Sequence, residues 1–382
     1  MLIADLKHPD LRQWVVLRDH FISLCSSEVH TPILPWAEKN VVFPHSDRCP
    51  RFSREFAPWL NFALESIASG NYRVISFLGP TGMGKTTLLE IIIAYAICQD
   101  PGSMLIIGQS DEDVSDWAEE RLMKMLQAIA PTKALMPQER YAIKKREIHF
   151  PHMFMRCGGA NLNSLQSKSC RWVFLDEVWT FKIGMVEQAR ARLHDRANGV
   201  LLCMGQAGLQ NDEHAKLHET CARYEYSWAC PNCSGLNAYA TDQLRYDDSR
   251  NEKGEWNWPA LIGSVRIRCP QCAAEFADTE FNRRRLSASG QYRLIDDIHA
   301  WPNRLGLHLH VAAVYWVKWS DIVLEKIKAD ERALLGDSSS LKTFVQKREA
   351  RPWVDEEAQI TIALQSGAYR VADFEDGRPI DG

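Results

Sequence analysis

The stretch Tyr72–Glu90 has the sequence YRVISFLGPTGMGKTTLLE and contains the complete pattern Gly79-x-x-x-x-Gly84-Lys85-Thr86. The apolar run before the pattern, within Val74–Leu78, predicts a buried strand. The mainly apolar run after it, Thr86–Gln99, predicts a buried helix. A strand, a glycine-rich turn and a helix in this order form the structural context in which the pattern binds phosphate. The sequence therefore predicts a phosphate-binding loop, or P-loop.

Each residue type in this turn is suited to a different part of nucleotide binding. Glycines let the backbone N–H groups converge on phosphate oxygens, where the positive end of the following helix also points. Lys85 is predicted to contact the β- and γ-phosphates of ATP, and the Thr86 hydroxyl to ligate Mg²⁺. A glycine turn that binds no ligand is the weaker alternative. The predicted nucleotide-binding residues are Gly79, Pro80, Thr81, Gly82, Met83, Gly84, Lys85, Thr86 and Thr87.

A second apolar run, Trp172–Leu175, ends in the acids Asp176 and Glu177. In P-loop enzymes an Asp at the end of such a strand helps to hold Mg²⁺, and a following Glu is suited to polarise the attacking water. Asp176 is therefore predicted as a nucleotide-site and Mg²⁺ residue, and Glu177 as the catalytic base. The alternative is an acid pair that caps the next helix.

The predicted strand Val200–Met204 is followed by the turn Gly205–Gly208. A polar turn after the strand that follows the Asp-Glu strand is where a γ-phosphate sensor lies in motor ATPases. Gln206 in this turn is the candidate sensor, and it joins Lys85 and Glu177 as a candidate catalytic residue.

Strands and helices alternate through this part of the chain. Ser103–Gly108 predicts a strand, and Asp111–Ile129 predicts a helix that is capped by Ser110. The small, polar residues 157–170 predict a loop. The alternation indicates an α/β fold: a P-loop NTPase of the RecA-like, ASCE type with a mainly parallel central sheet flanked by helices.

Cys230-Pro-Asn-Cys233 and Cys269-Pro-Gln-Cys272 are two C-x-x-C knuckles. Two thiolate pairs on tight turns complete a tetrahedral shell around Zn²⁺, and four cysteines leave no open position. The sequence therefore predicts a structural zinc site within a small β-rich insertion. The other cysteines are predicted to be free thiols. His214 and His218 are spaced for one face of a helix but lack a third ligand nearby, which favours a surface helix.

Composition narrows the class of protein. The 382 residues carry a net charge of −4, with 46% hydrophobic and 25% charged residues, as in ordinary globular proteins. A nucleic-acid partner would therefore meet local basic patches rather than a basic molecule. No apolar run is long enough for a membrane span, and the N-terminus does not resemble a signal sequence, so we expect an intracellular protein without a membrane partner.

We predict five segments by residue number. Residues 1–70 are an N-terminal lead-in that packs on the ATPase, 71–225 the P-loop ATPase core, and 226–300 the four-cysteine zinc insertion. Residues 301–365 return to the core or form a lid, and 366–382 form a linker or frayed tail.

The order of these features resembles the large terminase subunit of tailed bacteriophages, in the branch similar to phage lambda. The resemblance rests on Pro35–Glu38, the P-loop, Gly158–Asn161, Phe174–Glu177, the paired knuckles, Gly306–Tyr315 and Leu341–Val345. It implies an ATP-hydrolysing motor that translocates double-stranded viral DNA into a procapsid in the host cytoplasm. It further implies a homo-oligomeric ring at the portal protein and a small terminase subunit as a partner. The motor's lysine, hydroxyl and acids map onto Lys85, Thr86, Asp176 and Glu177.

Two features depart from the family pattern. The segment Cys203–Ala207 contains Met-Gly-Gln-Ala where relatives have a Ser/Thr-rich turn, which leaves the role of Gln206 open. Family members also continue into a nuclease domain, and the acids near Gly382 lie on an unpatterned tail, so we predict ATPase activity without DNA cleavage for these residues.

Two alternatives remain: a helicase-like nucleic-acid translocase, and a zinc-scaffolded DNA-binding or assembly protein with a vestigial nucleotide site. The residues after 225 are too few for a second RecA-like domain, and an intact P-loop with its acids argues against a vestigial site. The arginine finger stays open among Arg140, Arg146, Arg156, Arg190, Arg192 and Arg196.

Overall fold

The computed structural model describes residues 31–354, except 48, 140, 141, 167 and 168, together with 374–375 and 378–379. The chain forms two units, Met1–Pro32 and Ile33–Gly382, and nearly all described residues belong to the second. The first thirty residues, Cys25 among them, Arg140 and most of the predicted tail lie outside the described residues.

A mixed sheet of eleven strands organises the described part of the chain. Its strands are β1 Val74–Leu78, β2 Met104–Gly108, β3 Ile143–Lys144, β4 Glu147–His149, β5 Phe154–Gly159, β6 Trp172–Leu175, β7 Val200–Gly205, β8 Ala222–Ala229, β9 Leu236–Ala238, β13 Gln291–Asp296 and β14 Arg304–His308. Their order is β13-β8-β14-β1-β7-β6-β2-β5-β4-β3, and β9 pairs with β8. The strands from β8 to β5 along this order run parallel to one another, which confirms the predicted mainly parallel sheet.

Two smaller sheets complete the described strands. One joins β10, β11 and β12, which are Leu244–Arg245, Arg266–Arg268 and Glu275–Ala277. The other is a hairpin of β15, Phe374–Glu375, and β16, Arg378–Pro379.

Helices flank the main sheet. The described α-helices are α1 Ile33–Asn40, α2 Asn61–Ala68, α3 Lys85–Gln99, α4 Asp111–Trp117, α5 Met123–Ala128, α6 Ala130–Leu135, α7 Leu162–Leu165, α8 Met185–Arg190, α9 Glu213–Glu219, α10 Trp258–Ser264, α11 Glu280–Ala288, α12 Trp319–Leu334 and α13 Ser339–Phe344. Within the described residues, no helix is both long enough and apolar enough to cross a membrane.

The central strand β1 fixes the position of the site. It lies between β7 and β14, and all five of its residues are buried. The register pairs Leu78 with Gly205 on one side and with His308 on the other, so these three strands end together. In parallel sheets ligands bind outside the carboxyl ends of the strands. The turns after β1, β6 and β7 therefore meet at one edge of the sheet.

The first strand–turn–helix unit is close to the prediction. The strand is Val74–Leu78, and the helix begins at Lys85, one residue earlier than predicted. The predicted helix Asp111–Ile129 is present as α4 and α5, which a π-helical turn at Ala118–Leu122 joins. The Ser110 side chain caps it by accepting a hydrogen bond from the backbone N–H of Asp113.

Two local predictions were wrong. The predicted loop 157–170 begins as strand, because β5 extends to Gly159, and it also contains α7. The glycines there serve close packing: a Cβ on Gly159 would lie 2.5 Å from the backbone nitrogen of Asp111. His214 and His218 do lie on a helix, but both are buried rather than on the surface, since α9 packs against the sheet.

The segment around the knuckles is joined to the main sheet. Strands β8 and β13 pair with each other, and β8 also pairs with β14. The small sheet β10–β12 lies outside the main sheet and carries the second knuckle at the β11–β12 turn. The chain then returns through β14 to the middle of the sheet.

Candidate functional site

The P-loop leaves β1 at Gly79 and enters α3 at Lys85. Gly82 and Gly84 have φ angles of 81° and 100°, a left-handed conformation that side-chain-bearing residues rarely adopt. A Cβ on Gly79 would lie 2.2 Å from the sulfur of Met83, which folds back under the loop. In the described residues, the backbone N–H groups of Gly82 and Gly84 have no hydrogen-bond acceptor. This backbone has the shape and the free donors of a phosphate cradle.

Lys85 is buried against its own loop. Its Nζ donates hydrogen bonds to the carbonyl oxygens of Gly79 at 3.2 Å and Pro80 at 3.1 Å, and lies 3.9 Å from Oε1 of Glu177. Burial lowers the pKa of Lys85, and the charges of Glu177 and Asp176 oppose that shift. The ammonium is therefore desolvated and lies close to the Glu177 carboxylate.

Asp176 and Glu177 follow the end of β6. Burial raises the pKa of Asp176 to about 6, the neighbouring charge of Glu177 adds to the shift, and Lys85 opposes it. Glu177 has a φ of 53°, an uncommon conformation for a residue with a side chain, and its N–H donates to Oδ1 of Asp176 at 3.0 Å. Strained backbone of this kind is found at functional sites.

Gln206 lies at the same edge. The hydroxyl of Thr81 donates to Oε1 of Gln206 at 3.2 Å, and the N–H of Gly79 donates to the carbonyl oxygen of Gly205 at 3.0 Å. The turn after β7 is thus bonded to both the start and the middle of the P-loop. The structure brings Lys85, Asp176, Glu177 and Gln206 together.

A segment after α13 also reaches this edge. The N–H of Thr81 donates to the carbonyl oxygen of Lys347 at 3.1 Å, and Nε2 of Gln346 donates to the carbonyl oxygen of Gly208 at 2.7 Å. The N–H of Trp353 also donates to Gly208, at 2.9 Å. One short segment of chain therefore contacts both the P-loop and the turn after β7.

A cavity of about 430 Å³ opens beside Thr87 and is lined mainly by the segment between α1 and α2. The indole N–H of Trp59, in that segment, donates to the carbonyl oxygen of Met83 at 2.9 Å and so bonds the segment to the P-loop. The cavity combines aromatic, apolar and polar side chains, as small-molecule sites do. Its lining residues are Phe43, His45, Ser46, Asp47, Cys49, Phe52, Ser53, Phe56, Ala57, Leu60, Thr87 and Arg121.

A buried acid on α3 contacts residues in the wall of this cavity. Glu90, on α3, has no exposed surface. Its carboxylate accepts a hydrogen bond from Nε1 of Trp117 at 3.1 Å, lies 3.0 Å from Nε of Arg121, and lies 3.6 Å from Nε2 of His45. Burial raises the pKa of Glu90, while Arg121 and Trp117 lower it. Two of these partners, Arg121 and His45, line the cavity.

The two cysteine knuckles have the same backbone geometry. In the first, the N–H of Ser234 donates to the carbonyl oxygen of Cys230 at 2.8 Å; in the second, the N–H of Ala273 donates to that of Cys269 at 2.9 Å. Ser234 and Ala273 both have left-handed backbones, with φ of 60° and 61°. Each turn thus presents its two thiols in the same way.

The four sulfur atoms fit a zinc ion. They lie within 4.8 Å of one another, with 3.7 Å between Cys230 and Cys272 and 3.9 Å between Cys233 and Cys269. Zn–S bonds of about 2.3 Å in a tetrahedron place sulfur atoms roughly 3.8 Å apart. Asn232 and Asn237 donate side-chain hydrogen bonds to Cys272 and Cys269, as residues around metal ligands do.

The sequence profile of a protein family described as phage terminase large subunit gpA, ATPase domain, matches residues 46–291. The chain belongs to this family. The match spans the P-loop, the Asp-Glu strand and both knuckles of the terminase ATPase, and it confirms the resemblance drawn from the sequence.

Solved structures of large terminases are also similar to the chain. That of bacteriophage HK97 is 14% identical with a TM-score of 0.40, and the alignment covers 47% of this chain and 38% of that one. The ATPase domain from Thermus phage P74-26 is 12% identical with a TM-score of 0.42, with 75% and 91% covered. The large terminase of another thermophilic bacteriophage, in complex with ADP, is 16% identical with a TM-score of 0.31, with 42% and 40% covered. No curated protein matches the chain.

Four residues near the P-loop edge and its neighbouring cavity were not identified from the sequence. Trp179 donates to Glu177, the Lys347 carbonyl oxygen accepts from Thr81, and Glu90 pairs with Arg121 of the cavity wall. A lone Glu within the apolar run LLEIII is one usable signal, because a buried acid requires a partner. Two arginine-finger candidates have local partners: Arg146 pairs with Asp111, and Arg190 pairs with Glu187.

Proposed function

We propose that this chain hydrolyses ATP to translocate double-stranded viral DNA into a procapsid, as the ATPase part of a terminase. Family membership supports the class of enzyme. The observation that carries the proposal is the convergence of Lys85 with Asp176 and Glu177, where Lys85 lies 3.9 Å from the Glu177 carboxylate at the carboxyl edge of the sheet. A buried lysine beside the two acids argues against a vestigial nucleotide site.

The proposed roles follow from charge and reach. Lys85 would neutralise the β- and γ-phosphates, whose other oxygens would accept hydrogen bonds from the loop N–H groups. Thr86 and Asp176 would hold Mg²⁺, which when bound neutralises the charge that develops between the phosphates. Glu177 would orient and polarise the attacking water. Gln206, through its bond to Thr81, would sense the γ-phosphate.

The cavity beside Thr87 would take the adenosine. Its volume of about 430 Å³ falls within the range of small-molecule sites, and it adjoins the end of the P-loop that would hold the α-phosphate. Phe43 and Phe56 offer aromatic faces for the base, and Arg121 offers a fixed charge near the ribose or α-phosphate.

The remaining proposals concern the zinc ion, the partners and DNA cleavage. The four cysteines would hold a structural Zn²⁺, because a four-thiolate shell leaves no position for substrate. We propose that the active form is a homo-oligomeric ring in the host cytoplasm, and that it acts with a portal protein, a procapsid and a small terminase subunit. The absence of DNA cleavage by these residues stays a prediction, to be checked by incubating plasmid DNA with the purified chain and divalent metal.

ATP turnover by purified protein tests the proposed site. Lys85→Ala and Glu177→Gln should each lower kcat by about a hundredfold or more, because each removes a group that acts on the transition state. Lys253→Ala and Glu252→Gln, in an exposed loop, are the matched controls and should behave as wild type. Gln206→Ala should lower kcat with little change in ATP affinity. Equal turnover in all five variants and the wild type would indicate a vestigial site.

The motor function needs a separate assay. Protection of duplex DNA from DNase in the presence of procapsids, portal and ATP measures packaging directly. The helicase-like alternative instead predicts ATP-dependent separation of short duplexes without any requirement for procapsids. Lys85→Ala should abolish whichever activity is present.

A further inference from the structure

Trp179 lies in the short 3₁₀ turn Val178–Thr180, directly after the proposed catalytic acid. Its indole N–H donates a hydrogen bond to Oε2 of Glu177 at 2.6 Å, while Oε1 of the same carboxylate lies 3.9 Å from Nζ of Lys85. We infer that Trp179 is a positioning residue, which aims the Glu177 carboxylate at the nucleotide site. The inference rests on the proposed function, in which Glu177 is the base.

The backbone of Glu177 is already fixed by other contacts. Its N–H donates to Asp176 Oδ1 at 3.0 Å, and its carbonyl oxygen accepts from the N–H of Thr180 at 3.0 Å and from the Thr180 hydroxyl at 2.8 Å. The freedom that remains is in the torsions of the side chain. A glutamate loses much rotamer entropy when it is ordered, so a base without a partner would spend time away from the attacking water. The indole N–H supplies that partner.

The indole is itself held in place by the turn after β7. A Cβ on Gly205 would lie 3.4 Å from Cδ1 of Trp179, and a Cβ on Gly208 would lie 3.1 Å from its Cβ. These two glycines therefore allow the ring to pack closely on the turn. Between them lies Gln206, which is bonded to Thr81 of the P-loop. Trp179 thus joins the base to the turn that carries the proposed sensor.

Trp179 also packs on the turn after β7, so the test must remove the indole N–H group and keep an aromatic ring. Trp179→Phe keeps an aromatic ring and removes the donor. Trp179→His restores a donor, because Nε2 of histidine takes the ring position of the indole nitrogen. The matched control is Trp256→Phe, since the Trp256 indole donates to the carboxylate of Glu331 at 2.9 Å on an exposed surface.

Steady-state turnover, ATP affinity by titration and melting temperature are measured for each protein. Trp179→Phe should lower kcat by about tenfold to a hundredfold with unchanged ATP affinity and melting temperature, the scale of a displaced catalytic group. Trp179→His should recover part of that loss, and Trp256→Phe should match wild type. Wild-type or higher kcat in Trp179→Phe would overturn the inference, as would a defect confined to ATP affinity or to the melting temperature.

A double variant separates this inference from the proposal beneath it. If Trp179 acts through Glu177, then Glu177→Gln with Trp179→Phe should be no slower than Glu177→Gln alone in single-turnover measurements with enzyme in excess. A further loss of about tenfold in the double variant would mean that Trp179 acts independently, which contradicts the inference. Full turnover in Glu177→Gln alone would instead contradict the role of Glu177 as the base.

Discussion

Arg121 lies with its Nε 3.0 Å from the carboxylate of Glu90, a side chain with no exposed surface. The pair joins the first helix after the P-loop to the π-helical turn that follows α4. A charge that is buried in this way requires its partner. The pair therefore fixes the guanidinium at the wall of the proposed adenosine cavity.

We expect Arg121→Ala to weaken ATP binding about tenfold or more, because a charge-assisted hydrogen bond contributes roughly 1.5–3 kcal/mol. Lys124→Ala, on an exposed position of the next helix, should leave the affinity unchanged. Titration with a fluorescent ATP analogue gives both dissociation constants.

Loss of Arg121 also leaves Glu90 without its main partner, so a lower stability alone could weaken binding. Addition of Glu90→Gln to Arg121→Ala removes the buried charge and should restore the melting temperature but not the affinity. Recovery of affinity in this double variant would show that Arg121 supports the fold and does not contact the nucleotide.

The cysteine cluster leads to a second prediction. The purified chain should contain one zinc ion per molecule by elemental analysis, and Cys230→Ser should lose it. Structural zinc contributes roughly 10–16 kcal/mol in small zinc domains, so its loss should lower the melting temperature by about 10 °C or more. Cys49→Ser, a free thiol away from the cluster, should keep both the zinc and the melting temperature. Zinc-free wild-type protein with an unchanged melting temperature would rule out a structural metal.

Local patterns predicted the parts of the fold that depend on neighbouring residues. The P-loop, its strand and its helix follow from consecutive residues, and so do the knuckle turns and the capped helix that begins after Ser110. The acids after β6 could be placed near the loop because parallel strands end at one edge of a sheet. These elements are determined by spacing, and spacing is visible in a sequence.

Contacts between distant segments were not predictable in the same way. Glu90 and Arg121 are 31 residues apart, and Thr81 and Lys347 are much farther apart, so no local pattern joins them. The predicted loop 157–170 was wrong because glycine and small residues serve strand packing there as well as turns. The burial of His214 was missed because a histidine pair at helical spacing does not reveal which face the sheet covers.

Buried neutral histidines lead to a prediction on pH. Burial lowers the pKa of His214 and of His310 to about 3, far below the ordinary value of 6.5. Below pH 6.5 the unfolded chain therefore binds protons that the folded chain does not bind until near pH 3. The free energy of unfolding is unaffected above about pH 6.5 and falls as the pH decreases through that value. Between about pH 8 and pH 5.5 each such histidine should contribute a loss of about 1.4 kcal/mol.

His310→Asn isolates one of these contributions. The His310 Nδ1 accepts the N–H of Ala312 at 3.1 Å, and an asparagine oxygen can take over this cap without titrating. The ring also contacts the Thr241 hydroxyl at 3.0 Å, and His308 and Arg351 are the nearby charged or titratable groups that lower its pKa further. Urea unfolding at about pH 8 and pH 5.5, followed by tryptophan fluorescence, should show a fall in stability that is about 1.4 kcal/mol smaller for His310→Asn than for wild type. The exposed His152→Asn should retain the wild-type fall. An equal fall in His310→Asn and wild type would mean that His310 binds a proton in the folded state as readily as in the unfolded chain.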